Sequence, residues 1–332
     1  MENTNGILVI GEISDGKLAS VSREALACAR NLAKQTQSIV GISILGNNLG
    51  TTPTEAIEYG ADKVYIVDDS VLEDFQVEIH LSILENIIMD YNPKIIISTK
   101  TSIGRDLAPR LAFRLGTGLM QDCTDLWIDS DSGTLAGSRP VFGGNFIATI
   151  VGMGSIQVAA IREKVIEELE PDTKRKGEII NYPTKIKPSV AKTRLISRVK
   201  EKFEGIKLEE ATIVVGGGRG LGGPEPFRQL EVLADLLGGA VGASRAACDH
   251  GWISAAHQVG LTGKTITPNL YITIGISGAI QHMAGCNRSK VIVAIDNDKR
   301  ANIFDSARYG VVGDWNTILP GFIEEVRKLV EP

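Results

Sequence analysis

Between residues 238 and 282 one pattern occurs twice: a short apolar run leads into a turn of small polar residues. The runs are 238–243 and 270–276, and the turns are Ser244-Arg245 and Ser277-Gly278. Runs of this length, separated by segments long enough to cross over, restrict the chain to a parallel sheet covered by helices. In such an open sheet, ligands bind at the carboxyl ends of the strands, where these turns lie. Gly275 and Gly278 let backbone approach a ligand closely, and Ser277 is placed to cap a following helix whose N-terminus favours an anion. A phosphate-bearing cofactor suits such turns.

The first half of the chain alternates in the same way. A strand at 7–10 precedes a helix at 21–34 with Ala25, Ala29, Leu32 and Ala33 on its apolar stripe, and a strand at 38–45 follows. Thr52-Pro53-Thr54-Glu55 reads as a capping box with proline in the first turn, and Gly60 stops that helix. A strand at 63–67, a helix at 71–91 and a strand at 94–99 continue the alternation, which predicts a doubly wound, mostly parallel sheet. The Ser102-Ile103-Gly104 turn could by itself hold a phosphate, but Arg105 and Asp106 read better as local ion pairs. From Asp122 the period changes to two, with turns at 131–133 and at Gly143-Gly144. Segments 126–128, 134–136 and 146–151 therefore predict an antiparallel addition to the sheet. Residues 167–197 are charged and broken by Pro171, Pro183 and Pro188, which reads as a solvated linker.

A length of 332 residues suggests two domains, expected at 1–201 and 210–332 with a hinge at 202–209. A net charge of −5 offers no electrostatic footprint for nucleic acid. No apolar run is long enough for a membrane span, and the first ten residues lack a basic region before their apolar stretch, so a cytoplasmic location is expected. Cys28, Cys123, Cys248 and Cys286 stand far apart, without a paired spacing for zinc or an iron–sulfur cluster, and read as reduced packing residues.

The second domain opens with an apolar run at 211–215 and then Gly216-Gly217-Gly218-Arg219-Gly220-Leu221-Gly222-Gly223. Gly218, Gly220 and Gly223 satisfy the GxGxxG spacing, which makes an NAD(P)-dependent oxidoreductase using this GRGLGG turn the alternative reading. Against it, the second strand ends in Ser244-Arg245, where a dinucleotide site usually places an acid for the ribose hydroxyls. An arginine there suits a phosphate or an electron-rich ring.

The run Gln258-Val259-Gly260-Leu261-Thr262-Gly263-Lys264, then Pro268, Leu270-Tyr271 and Gly275-Ile276-Ser277-Gly278-Ala279-Ile280-Gln281-His282, resembles the FAD-binding domain of the electron-transferring flavoprotein alpha subunit. The resemblance continues through Val293-Ala294-Ile295, Ile303-Phe304 and Tyr309-Gly310-Val311-Val312-Gly313-Asp314, and Thr101 to Arg110 with Gln121-Asp122-Cys123 resembles the family's first domain, a subunit-contact element. It implies a C-terminal Rossmann-like parallel-sheet domain with FAD as cofactor. Such a domain needs charge complementarity at the diphosphate, which Arg219, Ser244 and Ser277 can supply. The resemblance places Arg245 beside the isoalloxazine, Thr262 near its N5 and His282 near its C2 carbonyl. It makes 259–262 and 277–282 cofactor-lining segments and brings Asp296 and Asp314 to the adenosine half. Gln258, Gly275 and Trp315 complete the candidate set. His80, His250 and His257 are read as structural. Two positions depart from the family pattern, since Leu261 stands where glutamine is usual and Asp296 where asparagine is usual.

The implied function is that of an electron carrier rather than an enzyme. It would form a heterodimer with a beta subunit holding AMP or a second FAD, and would meet an acyl-CoA or other flavin dehydrogenase, with ferredoxin a further candidate partner. Some members of the family bifurcate electrons, and the residues leave that point open.

Overall fold

The computed structural model describes residues 6–142, 146–183, 191, 193, 195–197 and 206–330. The expected Gly143-Gly144 turn, Pro188 and residues 202–205 of the expected hinge lie outside them. The chain divides into two compact α/β units, 1–198 and 199–332.

The first unit is built on a seven-stranded sheet whose order is Glu178–Asn181, Lys63–Asp68, Val40–Gly46, Gly6–Ile10, Pro93–Thr99, Gln157–Ile161 and Leu119–Cys123, with every pairing parallel. Parallel strands need both faces covered, and the first strand shows how its sequence achieves this. Ile7 and Val9 pack with Leu26 and Leu32 of the helix Ser20–Thr36, whereas Leu8 and Ile10 pack with Leu84 and Ile87 of the helix Val77–Tyr91. Each such fully buried aliphatic side chain contributes roughly 1.5–3 kcal/mol relative to exposure.

Four expectations need correction here. The antiparallel strands Asp125–Ile128, Leu135–Val141 and Phe146–Val151 form their own three-stranded sheet rather than extending the parallel one. The charged stretch expected as linker contains a real strand, Glu178–Asn181, which pairs with Lys63–Asp68 at the sheet edge. Thr52 does not cap its helix: Thr51 precedes the helix Thr52–Glu58, and Glu55 turns its carboxylate to the Thr51 hydroxyl and the Leu18 N–H. Gly104 serves packing, because a Cβ there would lie 1.8 Å from the Thr99 carbonyl oxygen, while Thr101 caps the helix Ser102–Arg114 by accepting from the Gly104 N–H. Asp106 does form a local ion pair, with Arg110 at 3.0 Å.

The second unit has a five-stranded, wholly parallel sheet in the order Ala240–Ala243, Ile213–Gly217, Leu270–Ile274, Val291–Asp296 and Tyr309–Val312. Numbered along this unit, the order is 2-1-3-4-5. The direction of winding reverses between the first and third strands, and a crevice opens at their carboxyl ends. Tyr271, Val214 and Ile292 fill one face, while Ile272, Ile274 and Leu230 from the helix Phe227–Leu236 fill the other.

Candidate functional site

The crevice is a cleft of about 660 Å³, a size typical of small-molecule sites. Turns after four consecutive strands meet there: Arg219-Gly220, Ser244-Arg245, the Gly275 to Ser277 turn, and Asp296-Asn297. The loop from Gln258 to Thr262 forms another wall, and Ala279, Gln281 and His282 complete it. Arg219, Ser244, Arg245, Gln258, Val259, Gly260, Leu261, Thr262, Gly275, Ser277, Ala279, Gln281, His282 and Asp296 therefore line one cleft. Gly278, Ile280, Asp314 and Trp315 do not line the cleft. Trp315 instead holds a lining residue, its indole N–H donating to the Gly220 carbonyl at 3.1 Å, and Asp314 accepts from the Asn316 N–H at the start of the helix Trp315–Val330.

The glycines also bring backbone against backbone. Gly218 and Gly220 press against Gly275, so that a Cβ on Gly218 would lie 1.9 Å from the Gly275 oxygen. Gly275 (φ 64°) and Gly278 (φ 75°) occupy the left-handed region, and a Cβ on Gly278 would meet the Ile303 nitrogen at 2.2 Å. Both thus bring backbone to backbone, Gly275 within the cleft lining and Gly278 beside it. Ser277 does not cap the next helix, because Ile280–Met283 begins after Ala279. Ser244 does cap, accepting from the Ala247 N–H at 3.4 Å.

The polar groups are arranged with mixed charge. Arg245 is 68% exposed and its Nε lies 3.3 Å from Asp249 Oδ2, one helical turn on. Asp249, Ala246 and Asn297 line the cleft without having been singled out by sequence. Asp249 was findable, since an acid four residues after an arginine at a helix start faces it. Gln258 donates its amide to the Thr262 hydroxyl at 3.0 Å, bracing the loop, and Leu261 is half exposed. Asp296 is buried and accepts from the Asp298 N–H. His282 is also buried: its Nε2 lies 2.9 Å from the Tyr271 hydroxyl, and burial pushes its pKa down to about 4, against a smaller opposing pull from the Val259 backbone. The ring is therefore neutral at physiological pH.

Among the described residues no cluster of metal-binding side chains occurs, and no helix is long and apolar enough to cross a membrane. The four cysteines are free thiols.

The geometry defines a nucleotide-cofactor domain of the doubly wound class. Residues 7–186 match the electron transfer flavoprotein domain, and residues 207–287 match the electron transfer flavoprotein FAD-binding domain. The electron transfer flavoprotein subunit alpha of Thermoanaerobacterium thermosaccharolyticum is 44% identical over 99% of this chain and 100% of its own length. That of Megasphaera elsdenii is 42% identical over 97% and 96%, and Protein FixB of Azorhizobium caulinodans is 38% identical over 98% and 89%. The chain belongs to the electron transfer flavoprotein alpha-subunit family. It is accordingly an FAD-binding electron carrier, and the cleft lies in the unit that carries the FAD-binding match.

Proposed function

We propose that the cleft between the Arg219, Ser244, Gly275 and Asp296 turns holds FAD, and that the chain passes electrons as one half of a heterodimer with a beta-type subunit. The observation that carries this reading is the convergence of four strand-end turns on one cleft at the winding reversal. When bound there, FAD supplies one-electron and two-electron redox chemistry that no side chain in the cleft provides.

The chain's own residues supply position and field. Arg219 and Ser244 stand at the openings of the first two turns, where donors and positive charge complement a diphosphate. Arg245 brings a cation to the cleft wall, moderated by Asp249. Thr262, braced by Gln258, offers a hydroxyl to the ring, and Asp296 closes the end assigned to the adenosine half. The half-exposed Leu261 shields the ring side from water in place of a polar partner.

A partner subunit is supported by the first unit's three-stranded sheet. Phe142, Phe146, Ile147, Val151 and Met153, on that sheet and at its strand ends, are all at least half exposed, with Ile147 and Val151 on the same face of the edge strand Phe146–Val151. Partners beyond that subunit, a flavin dehydrogenase or ferredoxin, and a cytoplasmic location follow from the family reading.

The visible spectrum of the purified full chain tests the proposal. Flavin bands approaching one per chain are expected, with FAD released on denaturation. A colourless chain that binds NADPH would move the assignment to the oxidoreductase reading of the GRGLGG turn.

A further inference from the structure

Among the described residues Tyr271 is the largest fully buried side chain, and it is the second residue of the strand Leu270–Ile274. Room for its hydroxyl exists because residue 216 is glycine, where a Cβ would come within 2.4 Å of that oxygen. The hydroxyl reaches one partner among the described residues, His282 Nε2 at 2.9 Å, with the two rings stacked at 6.0 Å. Burial holds the phenol protonated and the imidazole neutral. If Nε2 carried the imidazole proton, the phenol O–H and the Nδ1 lone pair would both be buried without partners, at about 1–3 kcal/mol each, whereas the other tautomer leaves one group, the Nδ1 N–H, to be satisfied. The phenol therefore donates, and the ring proton of His282 resides on Nδ1.

Nδ1 is itself buried without a partner in hydrogen-bond geometry, and because Nε2 is taken by Tyr271, it is the nitrogen left for the Val259 backbone, which pulls the ring's pKa upward. The two segments are closely packed. The Leu261 N–H donates to the Gln281 carbonyl at 2.7 Å, and a Cβ on Gly285 would lie 2.5 Å from the Gly260 nitrogen. We propose that Tyr271 is a positioning residue for the cofactor loop: by donating to His282 Nε2 it fixes the proton on Nδ1 and turns an N–H, rather than a lone pair, toward the Val259 backbone. The sheet core thereby holds the loop from Gln258 to Thr262 through one imidazole. This rests on the reading that the loop binds FAD, but the tautomer is a property of the chain alone.

The test is nitrogen NMR of the histidine rings in the full chain, flavin-free and after adding FAD, for the parent, Tyr271→Phe, His282→Asn and His282→Gln. Tyr271→Phe keeps the ring and so retains packing. The parent is expected to show His282 protonated on Nδ1 and bare at Nε2 before any flavin is present. Tyr271→Phe should redistribute the proton, speed amide exchange at residues 259–262 and weaken FAD about threefold to tenfold. His282→Asn, which keeps a polar group near the Nδ1 position, should preserve the loop better than His282→Gln. A parent imidazole protonated on Nε2, or a Tyr271→Phe protein with unchanged tautomer and exchange, would overturn the proposal. Failure of the parent to bind FAD, with the Nδ1 proton observed, would instead count against the cofactor assignment and leave the positioning role standing.

Discussion

Arg245 shows how one neighbour changes the size of an effect. A unit charge about 4 Å from the ring at an effective dielectric of about 20 would interact by roughly 4 kcal/mol. Exposure and the Asp249 partner reduce this to the scale of an exposed ion pair, about 0.2–1 kcal/mol, or roughly 10–40 mV for a one-electron couple. Arg245→Ala should lower the flavin's first reduction potential by that amount while leaving FAD bound. Arg245→Lys should restore only part, since a point charge replaces a planar fork. Redox titration checks both, and an unchanged potential in the alanine protein would remove Arg245 as the ring's electrostatic partner. Glu24, in the first unit, supplies a pH-dependent prediction. Burial and the nearby Glu168 and Glu163 raise its pKa to about 7, against the pull of the Lys164 N–H that it accepts. A carboxyl raised on folding contributes stability that is complete below about 4.5 and is lost as pH rises to about 7. Glu24→Gln should therefore stabilise the first unit little at pH 4.5 and by at most about 3 kcal/mol above pH 7, read as a Tm difference that grows with pH.

At the scale of elements, the turns are held by backbone contacts that tolerate no side chain. Gly218→Ala should destabilise the second unit by about 1–3 kcal/mol and weaken FAD, although residue 218 offers no side chain to the cofactor. Denaturant unfolding followed by fluorescence checks the first effect and flavin titration the second. The sequence made the strands and their turns legible, because runs such as 270–276 end in small residues whatever the tertiary context. It did not reveal what the glycines meet, since Gly218 and Gly275 are 57 positions apart in the chain and become neighbours only when the first and third strands pair. Glu178–Asn181 was hidden for a related reason: an edge strand flanked by charge carries half the apolar signal of a central one. The position of His282 at the cleft was legible from its motif, whereas its bond to Tyr271 was not, because it depends on the absence of a side chain at residue 216.

At the scale of the whole molecule, the cleft and the FAD-binding match lie in one unit and the exposed apolar sheet in the other. We expect a fragment beginning near Lys207 to retain FAD if it folds, and a fragment ending before Val199 to bind none. Recovering flavin on the latter would sink the assignment. Co-expression with a beta-type subunit should yield a one-to-one complex by sedimentation, and Ile147→Ser with Val151→Ser, on one face of the strand Phe146–Val151, should weaken it about tenfold or more if the three-stranded sheet is the contact. A fully active monomer would count against the partnership.

The last strand of the second sheet, Tyr309–Val312, pairs on one side with Val291–Asp296, and Tyr309, Val311 and Val312 are largely exposed. Such a border can template another chain's backbone. Shelf life is where this would be felt: a stock of the isolated subunit should cloud faster as it is concentrated, and one lysine at residue 311 should slow the clouding while leaving the colour of the protein unchanged.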